Sequence, residues 1–173
     1  MSDLSIASSG IIPDTKTPAV PKKQPDVMDA VKQDRGMGAK KKPSEIIRSY
    51  LMAQTGNQAD VDKAIAYIGQ LVAQKKSRMI QFGNTVFWAT QTGPSVIDVH
   101  IFTEENPTVL VNRLRQAYDW AKKHGFRKVT STITDGKFTG LVKAAGIPFT
   151  TKQTTVNDGN KMVPAYSVEM DVK

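Results

Sequence analysis

At residue 44 the texture of the chain changes abruptly, and the change decides what each side can fold into. Residues 1–43 contain Pro13, Pro18, Pro21, Pro25 and Pro43, no aromatic side chain, and scattered apolar residues without a period. Proline at this spacing interrupts helix and sheet alike. So little apolar surface cannot offset the entropy of ordering the backbone. This stretch is expected to be an extended basic arm. Residues 44–173 carry apolar side chains at helical and strand periods throughout, enough for one domain with its own core.

Within that domain the periods alternate in a definite order. Ser44 reads as a helix cap, with Ile46, Ile47, Tyr50 and Leu51 on one stripe and Gly56-Asn57 as the stop. Asp60 caps a second helix through Ala64, Ile65, Ile68, Leu71 and Val72. Strands are expected at 78–82, 85–90 and 96–102, joined by turns at Gly83-Asn84 and Gly93-Pro94. Asn106-Pro107 opens the longest helix, which buries Leu110, Leu114, Ala117, Tyr118 and Ala121 and stops at Gly125. A strand at 128–132 and a helix at 135–145 follow. Two strands, near 148–153 and 165–172, close the chain around a turn at Asn157-Asp158-Gly159. The order is that of a mixed α+β fold with one central, mostly antiparallel sheet and helices packed on it.

Charge and composition narrow the chemistry. The net charge is +8, with 8 basic and 5 acidic residues in 1–43 and 16 basic and 11 acidic residues in the rest. A positive balance this dispersed attracts polyanions weakly and non-specifically, and its densest cluster is Lys40-Lys41-Lys42. The absence of cysteine excludes a disulfide framework, a thiol nucleophile and a cysteine zinc site. His100 and His124 are the two imidazoles; the first reads as a structural strand residue and the second as a partner of a helix C-terminus. Trp88 and Trp120 read as core. Asp135-Gly136-Lys137 lacks the spacing of a phosphate loop, and Asp158-Gly159-Asn160 lacks the acidic positions of a calcium loop, so no metal is expected. No apolar run approaches the roughly 18 residues of a membrane span. The start, MSDLSIASSGIIPD, has no basic leader before an apolar segment, so no secretory signal and no membrane contact are expected.

Residues 96–147 resemble the GNAT family of N-acetyltransferases. LRQAYDWAKKHGFRKVTSTIT is similar to that family's long helix and the strand after it, and DGKFTGLVKAAGI to the next helix, here ending in Gly146-Ile147. The resemblance implies a GNAT-like fold and points to a place for acetyl-CoA. Family members hold its pyrophosphate on an Arg/Gln-x-x-Gly-x-Gly/Ala loop at the start of the long helix. Aligned on Trp120-Ala121 and Gly125, that loop falls at Glu105-Asn106-Pro107-Thr108-Val109-Leu110. It has no glycine, Pro107 has no N–H, and Glu104 and Glu105 bring negative charge. If acetyl-CoA binds at all, the resemblance assigns it Thr108, Val109 and Arg113. The position of the family's tyrosine acid is Val142, and a general base would have to come from Asp98, His100, Glu104 or Glu105, so no catalytic residue is assigned.

The expected function is therefore non-catalytic. A degenerate acetyltransferase domain with an extended arm resembles virion-associated proteins of tailed bacteriophages, located in the virion or the host cytoplasm. Such an arm would bind neighbouring protein subunits through Ile11, Ile12, Val20, Val27 and Met28, with Lys40, Lys41 and Lys42 meeting acidic surface. An active acetyl-CoA-dependent N-acetyltransferase is the alternative. A basic, nucleic-acid-associated protein using Lys40–Lys42 and Lys122-Lys123 is the third reading.

Overall fold

Six strands form one sheet in the order β1-β2-β3-β4-β6-β5, with four helices distributed over its two faces. The computed structural model describes residues 41–158 and 161–173. The elements are α1 (Pro43–Thr55), α2 (Gln58–Ala73), β1 (Arg78–Phe82), β2 (Thr85–Gly93) and β3 (Val96–Thr103). They continue with α3 (Pro107–Lys123), β4 (Lys128–Ile133), α4 (Lys137–Ala144), β5 (Phe149–Asp158) and β6 (Lys161–Asp171). Every neighbouring pair is antiparallel except β3 and β4. The α+β architecture expected from the sequence is thus present.

Local differences have local causes. Helix α1 begins at Pro43, whose fixed φ suits the first helical position. Glu45 reaches back to accept from the Lys42 N–H at 3.0 Å, so Lys42 caps the helix and Ser44 lies inside the first turn, buried. Asn57, and not Asp60, caps α2: its side chain accepts the Asp60 N–H. Helix α4 starts at Lys137 because Asp135 first turns the chain by accepting the Lys137 N–H at 2.9 Å. The closing hairpin is longer than the apolar pattern indicated, with β5 and β6 paired from Phe149↔Met170 to Asp158↔Lys161. Residues 150–155 of β5 are exposed polar positions, so alternation could not mark them. Pro164 sits where β4 has already ended, so its missing N–H breaks no central ladder.

Alternation along the strands divides the interior in two. Met79, Val86, Trp88 and Phe102 face α1 and α2, meeting Ile46, Ile47, Leu51, Ile65 and Ile68. Ile80, Phe87, Ile97, Val99 and Val168 face the other way, toward Leu114, Trp120 and Ala121 of α3 and Val142 of α4. Tyr118 is half-buried, its hydroxyl donating to the Asp171 carbonyl and accepting the Lys173 N–H, both at 3.1 Å. Among the described residues, no helix is long and apolar enough to cross a membrane, and no three or more acidic or histidine side chains cluster as metal ligands.

Leu114 is 4% exposed at the centre of the second core. Leu114→Ala should therefore cost about 2–5 kcal/mol in denaturant unfolding. Asp62→Ala removes exposed hydrogen bonds from Arg48 and Gln58 and should cost only about 0–1 kcal/mol.

Candidate functional site

The parallel contact between β3 and β4 is short. Val96↔Lys128, Ile97↔Val129 and Asp98↔Thr130 are in register, and there the ladder ends although both strands continue. Side chains bridge the place where they part: Thr130 Oγ1 donates to Asp98 at 2.7 Å, and Ser131 Oγ donates to the Val99 carbonyl at 2.8 Å. Beyond these bonds the strand edges face each other across a cavity of about 260 Å³.

Two titratable side chains on the wall of this notch are shaped by burial. The His100 side chain is 12% exposed, stacked 5.3 Å from Trp88, with Nε2 3.6 Å from the Asp98 carboxylate. Burial pushes its pKa below the ordinary value, and Asp98 opposes that shift only in part, so the imidazole is neutral near pH 7. Tyr50 enters from α1, edge-on to Phe102 at 5.6 Å. Burial, reinforced by the charge of Asp135, raises its phenol well above the usual range and keeps it protonated. Asp135 and Lys137 complete the polar part of the wall. In the sequence Tyr50 is marked only as part of an apolar stripe. The i, i+4 spacing with Ile46 that suits burial also brings the phenol to the notch, and no local signal separates the two.

The residues between β3 and α3 form a second, separate arrangement. Glu105 is the centre of a closed network: Thr85 Oγ1 donates to it at 2.8 Å, and Arg113 grips it with Nε at 2.8 Å and Nη2 at 2.9 Å. Because the Thr85 proton goes to Glu105, the 2.7 Å contact between Thr85 and Thr103 must be donated by Thr103, which in turn accepts the Glu105 N–H. Burial alone would raise the Glu105 pKa; the hydrogen bonds from Arg113 and Thr85 outweigh it and hold the carboxyl below its usual range. Arg113 reaches this position across Gly83, whose φ of +58° suits a two-residue hairpin turn. A Cβ at Gly83 would collide with the guanidinium. Glu104 is paired with Lys41 Nζ at 2.9 Å, and the Lys41 backbone is bound by Gln81 and Asn84, so Lys41 and Lys42 belong to the folded domain.

These facts allow a residue-by-residue test of an acetyl-CoA pyrophosphate at the start of α3. Asn106 caps the helix and takes the Val109 N–H at 3.0 Å, and Pro107 has none to offer. Thr108 is exposed at this turn. Arg113 is engaged by Glu105, while Arg115 donates to the carbonyls of Ala144 and Ala145. A pyrophosphate needs several free donors, and at this position Glu104 and Glu105 bring two ion-paired carboxylates instead. Val142 is fully buried in the core. Of the candidate bases, His100 lines the notch with Asp98 beside it, whereas Glu104 and Glu105 are tied in ion pairs. Ile11, Ile12, Val20, Val27, Met28 and Lys40 lie outside the described residues; Lys42 is exposed at the start of α1.

No protein-family profile and no curated protein matches the chain. Solved structures do. An N-acetyltransferase from Staphylococcus aureus Mu50 superposes with a TM-score of 0.56 at 15% identity, over 78% of this chain and 96% of that one. A ribosomal-protein-alanine N-acetyltransferase from Brucella melitensis gives 0.53 at 7% identity, over 75% and 93%. An acetyltransferase from Bacillus subtilis in complex with CoA gives 0.50 at 12%, over 78% and 96%. At these identities the likeness is one of fold, and the fold is that of the GNAT acetyltransferases.

Because His100 takes its proton less readily when folded, the unfolded chain binds it first as the pH falls through the ordinary value of 6.5. The contribution of neutral His100 to stability is complete above that pH and is lost below it. Glu105 and Asp62, with lowered carboxyl pKa values, lose theirs only at more acid pH. Melting temperature should therefore decline as the pH falls below 6.5, and His100→Gln should flatten that decline.

Proposed function

We propose that this chain is a non-catalytic assembly protein on an acetyltransferase fold, of the virion-associated kind that its sequence resembles. One observation carries the proposal: at the start of α3, Glu105 occupies Arg113 in a two-point ion pair, so the helix end presents a carboxylate where a cofactor's phosphates would need cations. In this reading the folded domain is a platform, and residues 1–40 are the arm that orders on neighbouring subunits. Proline spacing and isolated apolar residues in that arm support the assignment.

The notch favours a second reading, a working N-acetyltransferase. A neutral imidazole and a protonated phenol on one cavity wall, with the Asp98 carboxylate 3.6 Å behind the imidazole, are groups able to accept and release a proton. The two readings part on cofactor affinity. Acetyl-CoA at a hundred times its Kd would stabilise the fold by about 2.7 kcal/mol. Millimolar acetyl-CoA should leave the melting temperature of this protein unchanged; a rise of several degrees, or transfer of acetyl groups to an amine, would establish the enzyme.

Deleting residues 1–40 should leave thermal stability near that of the full chain and abolish incorporation into the parent particle. Normal incorporation of the truncated protein would move the binding surface to the domain.

A further inference from the structure

Far from the notch, the C-terminal end of α2 turns into β1 through a residue in an unusual conformation. Lys75 has a φ of +60°, the one positive value outside glycine among the described residues. The Lys75 N–H bonds to the Val72 carbonyl at 3.0 Å and the Lys76 N–H to the Leu71 carbonyl at 2.9 Å. That pattern closes many helices, and the left-handed position in it is normally glycine, because a Cβ there is strained. Lysine at this position carries a strain that glycine would not.

Lys75 lines a concavity of about 180 Å³ together with Lys76 and Arg78. Val72, Ala89, Ile97 and Phe126 line its apolar part, and among the described residues no carboxylate lines it. The Arg78 guanidinium lies 5.6 Å from the centre of the Trp120 ring, which stacks on His124 at 4.2 Å. Those contacts join the concavity to the end of α3, where Lys122, Lys123 and the following Arg127 are exposed. None of these six cations is in an ion pair within the described residues, whereas Lys41, Arg48, Arg113 and Lys128 are.

We propose that this concavity, walled by Lys75, Lys76 and Arg78, seats a backbone phosphate of a nucleic-acid strand whose neighbouring phosphates run along Lys122, Lys123 and Arg127. Of the other polar side chains lining it, Ser77 accepts from the Trp88 indole and Gln91 donates to the Gly93 and Pro94 carbonyls, so charge is left to give binding that is independent of sequence and steeply dependent on salt. Trp120 is buried under Arg78 and offers no ring to a base, so recognition is of backbone alone. A membrane surface is disfavoured because Met162 is the one large exposed apolar residue among the described residues, and it lies on the closing hairpin.

Anisotropy of a fluorescein-labelled DNA duplex, titrated with the full chain at several salt concentrations, tests the proposal. Lys75→Gly is the informative variant, because it removes a phosphate contact while relieving backbone strain. It should raise the melting temperature, weaken DNA binding and reduce the slope of log affinity against log salt by about one. Lys76→Ala should weaken binding similarly with little effect on melting. Unchanged affinity and slope in Lys75→Gly would overturn the proposal, as would loss of all binding in a Lys40→Ala, Lys41→Ala, Lys42→Ala variant. Inorganic pyrophosphate should compete only at far higher concentration than DNA, and poly-glutamate of equal charge should bind more weakly. Equal or tighter binding of either one would assign the concavity to a small phosphate or to an acidic protein surface instead.

Discussion

Three residue pairs of parallel ladder hold the two halves of this sheet together, and most of what distinguishes the molecule follows from how short that contact is. On one side lies the antiparallel unit β1-β2-β3, on the other β4-β6-β5. Each unit twists as its own ladder requires. Past Asp98 and Thr130 the two diverge faster than backbone bonds can follow, and Thr130 and Ser131 close the gap with side chains. The notch beyond is thus a consequence of the topology.

The helix that crosses from β3 to β4 makes the same point electrostatically. Its N-terminus carries the positive end of a dipole, and an anion placed there is stabilised. In this chain the anion comes from the protein itself. Glu105 gathers Arg113, Thr85 and the Thr103 hydroxyl into one network, and the absence of a side chain at Gly83 gives the guanidinium its route. The Glu104–Lys41 pair adds a second internally compensated charge beside it. Glu105 and Arg113 thus satisfy each other's charge, whereas the cations around Lys75 are in no ion pair among the described residues.

Much of this fold was legible from period and punctuation. Asn106-Pro107 opens α3 as its residues indicate, Gly83-Asn84 makes the first hairpin, and Leu114 is core. Helix starts were less legible where two capping residues compete within three positions, as Asn57 and Asp60 do, since local chemistry allows either and packing selects one. Only the start of β5 is marked in the sequence, because its outer half is polar on both faces and lacks the alternation that marks a strand. Site features depended on contacts that no window contains. Glu105 meets Thr85 from 20 residues away, and Tyr50 lines the same cavity as Asp135, whose charge it feels. Lys75 is the opposite case: nothing in its sequence surroundings marks a left-handed residue, and the usual marker, glycine, is missing.

The claim on which this account rests is that Glu105, by holding Arg113, closes the start of α3 to phosphate. Calorimetric titration of CoA into the Glu105→Gln variant and the unaltered protein tests it directly, because the amide keeps a partner for Thr85 and releases the guanidinium. The unaltered protein should give no binding heat, and the variant should bind CoA measurably, with affinity that weakens as salt rises. Binding by the unaltered protein, or a variant that binds no better, would contradict the claim.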